Sequence, residues 1–532
     1  MGSLVRAGPC ALLCAWACSV GIGVAQEPPQ KQSARFQLTA LRVVNTTALD
    51  AAAIEAVAAR WRNRWIGGFE LAAIQRELGQ LYEERGYKGS GVVLGDQVIE
   101  RGEVVFHARE VKLDRIVLAP APRWIRPLML DRQIWPDANE PLNVNRLQER
   151  IGLLRDSPHV KRIDADLSIG EANPSSATLT LKVEEPPPIS AWASAANNRN
   201  PGIGAVRREV GAQHRSLLGW GDQLEARTGR TEGLSDSSVS YAFPIPGTRF
   251  TIQGARSKGD SRAIEPRVFK DLDILAVTSA RSFGLNASLL KTPAHVLSAG
   301  FLREDKASET SLLGFPFSFT PGIAEGESTI RANRVSTEYA WRGAFANASV
   351  RLIATRGTVR PVADEGIPGA VAPDFRLYQV GATAAQSMLD GALILQARID
   401  AQTTSQTLPP AERLSFGGVN GVRGYRENLF LRDRGAIVRV EAGSKSFELH
   451  RIAKVSGSLF ADTGHGTSAF VREDGLPKRI SSIGIATEVM LLSYLRVNLA
   501  YARPSNRSFK SSGNLQDRGV HLAVTLGYPA RE

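Results

Sequence analysis

Leu495-Arg496-Val497-Asn498-Leu499-Ala500-Tyr501 alternates large apolar residues with polar or small ones, and this period of two decides the fold. A strand turns successive side chains to opposite faces, so the stretch presents one apolar face and one mixed face. The alternation recurs in Leu393, Leu395, Ala397 and Ile399 against Ile394, Gln396, Arg398 and Asp400. It recurs again in Leu522, Val524, Leu526 and Tyr528 against Ala523, Thr525 and Gly527. A soluble β-sandwich also has one apolar face. Segment length, repetition from Ile189 onward, and aromatic residues near strand ends (Trp192, Tyr241, Phe250, Trp341 and Tyr501) favour a transmembrane barrel with aromatic girdles over residues 189–532. About sixteen antiparallel strands of roughly 10 residues fit between Ser190 and Tyr528.

The start of the chain sets the compartment. Arg6 supplies a basic beginning, Pro9 to Val24 a short apolar stretch, and Gly23-Val24-Ala25 a small-residue cleavage site before Gln26. Residues 1–25 therefore read as a secretory signal peptide. A lipoprotein signal ending at Cys18 competes, but Ala15-Trp16-Ala17 lacks the usual leucine and places a bulky Trp where small residues are expected. All three cysteines (Cys10, Cys14 and Cys18) lie inside this leader, so the exported chain needs no disulfide framework. Beyond it no apolar run reaches the roughly 18–20 residues of a membrane helix. The net charge of +12 would suit nucleic acid, but an exported chain makes that partner unexpected.

Ahead of the β region lie two α/β patterns. Residues 26–35 form a short tether. In 36–112, Phe36-Gln37-Leu38 and Leu41-Arg42-Val43 read as extended, and Asp50 can cap a helix carrying Ile54, Val57 and Trp61. After Gly67-Gly68 a second helix places Leu71, Ile74, Leu78 and Leu81 on one stripe and stops at Arg85-Gly86-Tyr87. Strands at Val92 to Leu94, Glu103 to Phe106 and Leu113 to Leu118 follow. In 113–188 the order repeats, with a helix from Asn145 to Leu154 and strands at Val160 to Leu167 and Thr178 to Val183. Glu184-Glu185-Pro186-Pro187-Pro188 makes a stiff boundary.

Between the alternating segments runs a long connection, residues 405–434, with Pro409-Pro410, Gly417-Gly418, Gly421 and Gly424. It contains Gly421-Val422-Arg423-Gly424-Tyr425, and the next strands carry Phe460-Ala461-Asp462-Thr463-Gly464. Together these resemble the paired hallmark of the Omp85/TpsB outer-membrane translocators. Gly86-Tyr87, Ser90, Asp96-Gln97 and Gly102 resemble the first POTRA domain of two-partner secretion transporters. Pro141-Leu142-Asn143, Leu147 and Leu153-Leu154-Arg155-Asp156 resemble the second.

The resemblance implies α+β periplasmic modules before an all-β barrel, with loop 405–434 folded inward. It also implies an Arg423–Asp462 latch, which a bidentate guanidinium–carboxylate pair could provide. Gly421, Val422, Gly424 and Tyr425 complete the loop motif, and Phe460 and Gly464 the wall motif. Tyr425 would pack the loop tip, while Phe460 could face lipid or pack the wall. Two departures stand out. Only residues 26–35 precede the first module, where many members carry a long plug helix, and Tyr528 is followed by Pro529-Ala530-Arg531-Glu532 where an aromatic usually ends the chain.

Enzyme motifs are missing: there is no Gly-x-Ser-x-Gly elbow, Walker loop or His-Glu-x-x-His. The scattered histidines lack metal-ligand spacing, so neither a cofactor nor a metal is expected. The resemblance implies an outer-membrane protein that moves an unfolded, β-rich exoprotein to the cell surface. Its modules would capture that client by strand addition, and its other partners would be membrane lipid and the barrel assembly machinery. An Omp85-type insertase and a passive porin or receptor are the alternative readings.

Overall fold

The computed structural model describes residues 35–134, 140–170, 173–265, 272–362, 367–470, 476–506 and 513–529. The expected leader and nearly all of the tether lie outside the described residues, as do Ala530 to Glu532.

The first module packs two helices on a three-stranded sheet. Asp50 accepts from Ala53 N at 3.0 Å and starts the helix Ala51–Trp61. The second helix, Gly68–Glu84, opens with Glu70 reaching back to Gly67 N at 2.8 Å. It ends where Gly86 adopts φ +88°, with Gly86 N bonded to Glu83 O and Tyr87 N to Tyr82 O. That double bond satisfies carbonyls the helix cannot. Leu71, Ile74, Leu78 and Tyr82 are buried against Val104 and Phe106. Strand Ala40–Val44 runs parallel to Glu103–Arg109, which pairs antiparallel with Gly91–Leu94.

Glu110 ties the module's helix entry to its sheet. It accepts from Thr46 Oγ1 (2.9 Å), Thr47 N (2.8 Å), Thr47 Oγ1 (2.6 Å), Ala48 N (2.9 Å) and Tyr82 OH (3.1 Å). Burial pushes its carboxyl up, but the bonds from Thr47, Ala48 and Thr46 outweigh it and hold the group below its ordinary value of 4.5. Burial and the neighbouring carboxylate push the Tyr82 phenol up to about 12.

In the second module Lys112–Leu118 runs parallel to Ser176–Glu184, and Arg162–Ile169 forms the far edge. Helix Val144–Arg155, capped by Asn143, contributes Leu147, Ile151 and Leu154 to the core. A helix Pro127–Ile134, absent from the sequence reading, adds Met129, Leu130 and Ile134. It covers barely two turns, so its periodicity is too brief to stand out, although its proline suits a first helical turn.

From Ile189 the chain closes into an antiparallel barrel of 16 strands. The last strand, Val520–Tyr528, pairs with the first, Ile189–Ala196, from Tyr528↔Ala191 to Ala523↔Ala196. Asn197 prolongs the seam with its side chain, donating to Val520 O (2.8 Å) and accepting from Leu522 N (2.7 Å). Alternation sorts the wall. Leu459 (65 % exposed), Ile483 (65 %) and Ile485 (54 %) point outward, while Phe460, Asp462 and Ser482 point in and are buried. Phe250, Trp341 and Tyr501 lie outward near strand ends. Trp192 is a correction to the girdle: it turns into the lumen and donates from Nε1 to Glu209 Oε1 at 3.0 Å. Its outward neighbours Ala191 and Ala193 share the face of Leu526 and Tyr528.

The second module contacts the barrel's first short turn. Arg126 donates from its backbone to Gly219 O and from Nε to Leu218 O, both at 2.9 Å. Ser216 Oγ donates to Trp124 O at 3.0 Å, and Arg342 meets Asp156 at 2.8 Å.

The Glu110 cluster generates a prediction. Glu110→Gln removes acceptor capacity for five donors and should cost about 1–3 kcal/mol locally. Amide exchange of Thr47 and Ala48 in the intact chain checks it, with faster exchange expected. Because the folded carboxyl sits low, its stabilising contribution is present above 4.5 and fades as pH falls through the depressed value.

Candidate functional site: a loop fastened inside the barrel

The connection between strands Leu393–Thr403 and Arg434–Ser444 folds into the barrel interior as a small hairpin. Leu414–Phe416 pairs with Phe430–Arg432, and Phe416 stacks on Phe430 with ring centroids 5.1 Å apart. Phe416, Val422, Tyr425 and Phe430 form a buried cluster with Ile437 and Ile480 of the wall. Gly464 is one of the places where loop and wall nearly touch. A Cβ there would stand 2.8 Å from the Phe416 ring and 3.1 Å from Val422 Cγ2. Any larger residue would lift the hairpin off its bed.

At the tip, Arg423 meets the wall. Its Nε donates to Asp462 Oδ2 (2.8 Å), its Nη2 to Asp462 Oδ1 (2.9 Å), and its backbone N to Asp462 Oδ2 (3.0 Å). The remaining Nη1 donates to Glu441 Oε2 at 2.9 Å. Below the guanidinium lies Phe460, its ring centroid 3.4 Å from Arg423 Cζ. That contact decides the two readings of Phe460 in favour of wall packing, under a cation. The Asp462 side chain is wholly buried and that of Arg423 is 11 % exposed. Two donors on one carboxylate in a half-dry site form the strongest geometry available to this pair.

The other motif residues take supporting places. Gly421 N bonds to Gly418 O and shapes the tip turn. Gly424 holds φ +89° against Ala502, which a Cβ would meet at 2.8 Å, and its N–H donates to His521 Nε2 at 3.0 Å. Tyr425 is buried, donates to Ser481 O (3.2 Å) and accepts from Asn506 N (3.1 Å).

Several residues of the site escaped the sequence reading. Glu441 and His521 face the tip from strands whose alternation shows only that they point inward. Arg439 donates from Nη1 to Val419 O at 3.0 Å. Arg426 grips Asp517 at 2.5 and 2.8 Å, and Gln516 links Glu427 N to the carbonyls of Asn197 and Arg199.

A second anchor holds the stem. Glu412 is bound by Lys306 Nζ (3.0 Å) and by Arg334 Nη2 at 2.8 and 2.9 Å. Arg334 also donates to Glu304 Oε2 (2.9 Å) and Thr355 Oγ1 (3.0 Å). The Lys306 and Arg334 strands stand well apart from the Asp462 strand in the barrel order. The loop is therefore held at two places. A cavity of about 610 Å³ opens beside its tip, lined among others by Asn420, Arg423, Glu441, Ser458 and Asn498.

Comparison with known proteins agrees with this architecture. The haemolysin secretion/activation protein family (ShlB/FhaC/HecB) matches residues 176–489, and the ShlB-type POTRA domain matches residues 36–107. The chain is similar to the heme/hemopexin transporter protein HuxB of Haemophilus influenzae strain 86-028NP, 20 % identical over 519 residues, covering 91 % of this chain and 86 % of the relative. Among solved structures, CdiB from Escherichia coli superposes with a TM-score of 0.71 at 16 % identity, covering 95 % of this chain and 93 % of that one. BamA from Haemophilus ducreyi lacking POTRA domains 1–3 gives 0.53 at 13 % identity, covering 93 % of this chain and 100 % of that one.

Asp462→Asn leaves the guanidinium without its full counter-charge. Breaking such a buried pair costs about 3–5 kcal/mol. The amides of Arg423 and Gly424 should then exchange at least about a hundredfold faster while the barrel stays folded. Arg423→Lys should fall between, because an ammonium cannot span both carboxylate oxygens. Glu412→Gln should speed exchange around Leu414 and leave the tip amides protected.

Proposed function

We propose that this chain, which belongs to the haemolysin secretion/activation protein family of outer-membrane β-barrel transporters, conducts an unfolded, β-rich partner exoprotein from the periplasm to the cell surface. The observation that carries this reading is the inward loop, pinned by Arg423 to Asp462 and Glu441 in the one space a polypeptide could traverse. A channel for ions or small solutes needs no such fastening. A protein conduit needs a stopper that holds at rest and can leave.

Both α/β modules act as POTRA domains in this reading, and both sheets offer unpaired edges. In the first, Gly91–Leu94 is an edge strand with Val93 and Leu94 exposed. In the second, the edge is Arg162–Ile169, with Ile169 exposed. An extended client can add as a further strand, taking main-chain bonds for affinity and alternate side-chain contacts for choice. The edge strand of the first module has only 4 residues, which limits unwanted pairing there.

The route needs no nucleotide. Client that folds outside cannot return, and that supplies direction. Barrel assembly machinery would insert the chain into the membrane. The latch role belongs to Arg423 and Asp462, with Gly421, Val422, Gly424, Tyr425, Phe460 and Gly464 shaping tip and bed.

Removing residues 36–185 should leave a barrel that inserts and still shifts on unheated gels but no longer secretes its client; undiminished secretion would remove the modules from the pathway. Arg423→Ala should reduce export to a small fraction at normal surface levels of barrel. Unchanged export would show the latch to be idle.

A further inference from the structure

The outer wall carries an arginine array that neither the latch nor the modules use. Outward positions on five consecutive long strands hold Arg281, Arg303, Arg331, Arg356 and Arg376, and Arg256 continues the array on the strand before them; all six are exposed. Register brings them into contact range of one another. Arg256 stands directly opposite Arg281, and Arg356 directly opposite Arg376. Asp305 lies between Arg281 and Arg331 in the same row.

Like charges directly opposed on one face of a sheet repel and destabilise it. Here little inside the protein offsets that repulsion. Asp305 serves Arg281 at 3.2 Å and Arg303 at 3.8 Å. Among the described residues no carboxylate lies within ion-pair distance of Arg256, Arg331, Arg356 or Arg376. The outward carboxylates Glu309 and Glu327 lie further toward the loop end.

The height of the array is equally informative. Each arginine lies on the loop-end side of the apolar surface. Arg281 is followed toward the short turns by Phe283 (61 % exposed), Arg376 by Tyr378 (53 %), and Arg303 is preceded by Phe301 (45 %). From Arg281 to the turn end of its strand at Lys291 is roughly 33 Å of chain, or about 25 Å of height at the usual tilt. That equals the height of a barrel's apolar band, so the guanidiniums emerge at its edge.

We propose that this rim binds the phosphorylated headgroups of lipids in the outer leaflet. The assignment rests on the reading under Proposed function: the second module, which bonds the short turn at Ser216 to Gly219, acts in the periplasm, so the opposite, loop end faces outside. A phosphate between two facing guanidiniums accepts bidentate bonds from both and turns repulsion into attraction. The apolar side chains just below receive the acyl chains of the same molecule.

The test uses the intact, purified protein in neutral detergent, with diphosphoryl lipid A, its dephosphorylated form and inorganic phosphate as separate additions. Diphosphoryl lipid should raise the unfolding temperature and the dephosphorylated form should not. The double variant Arg356→Ser, Arg376→Ser should be more heat-stable than the wild type without lipid, because the opposed charges are gone. It should also bind diphosphoryl lipid about tenfold more weakly. Equal stabilisation by both lipids, or unchanged binding by the variant, overturns the proposal, and inorganic phosphate matching the lipid would reveal an adventitious ion only. Should the variant fail to fold, the two lipids on the wild type decide the matter. Lipid binding without secretion would sink the transport reading alone, whereas secretion without lipid discrimination would sink this one alone.

Discussion

A guanidinium that cannot lose its charge is held in the barrel interior against a carboxylate with no access to water. Everything else about the loop follows from keeping that pair satisfied. The hairpin must approach the wall closely, so glycine occupies position 464. The tip must turn back on itself, so Gly424 takes a left-handed backbone and hands its N–H to His521. Three of the strongest contacts converge on one residue, and the ring of Phe460 closes the fourth side. An isolated buried charge costs far more than the pair is worth, so the arrangement is nearly all-or-none. Such a contact suits a stopper better than a graded constriction.

Much of the architecture was legible in the chain. Strict alternation over Leu393 to Asp400 and Leu495 to Tyr501 sorted wall from lumen correctly, because register leaves no middle course. Helix ends were equally readable at Asp50 and Gly86, where local bonds decide. Trp192 went wrong because an aromatic near a strand end can face either way, and only the alanines on either side mark the outward face. The helix Pro127–Ile134 is too short for its periodicity to stand out.

The stem anchor was beyond reach for a different reason. Glu412 meets Lys306 and Arg334 across a sequence separation of 106 and 78 residues, through a contact that exists only once the cylinder has closed. Nothing local to Glu412 distinguishes it from a surface carboxylate beside prolines. His521 and Glu441 are similar. Alternation shows that they point inward, but not that the loop tip arrives there.

Two anchors on separate parts of the wall divide the work of the loop. In the proposed conduit, fastening at the stem would keep residues 410–433 near the lumen whatever the tip does, and release at Asp462 would free only the tip. The decisive measurement is the distance between spin labels at Asn420→Cys and Val440→Cys in the intact barrel, whose only native cysteines lie within residues 1–25. One narrow distance is expected at rest, and a second, longer one when a client stalled in transit occupies the barrel. A broad distribution at rest, or an unchanged narrow one with client trapped inside, would contradict it.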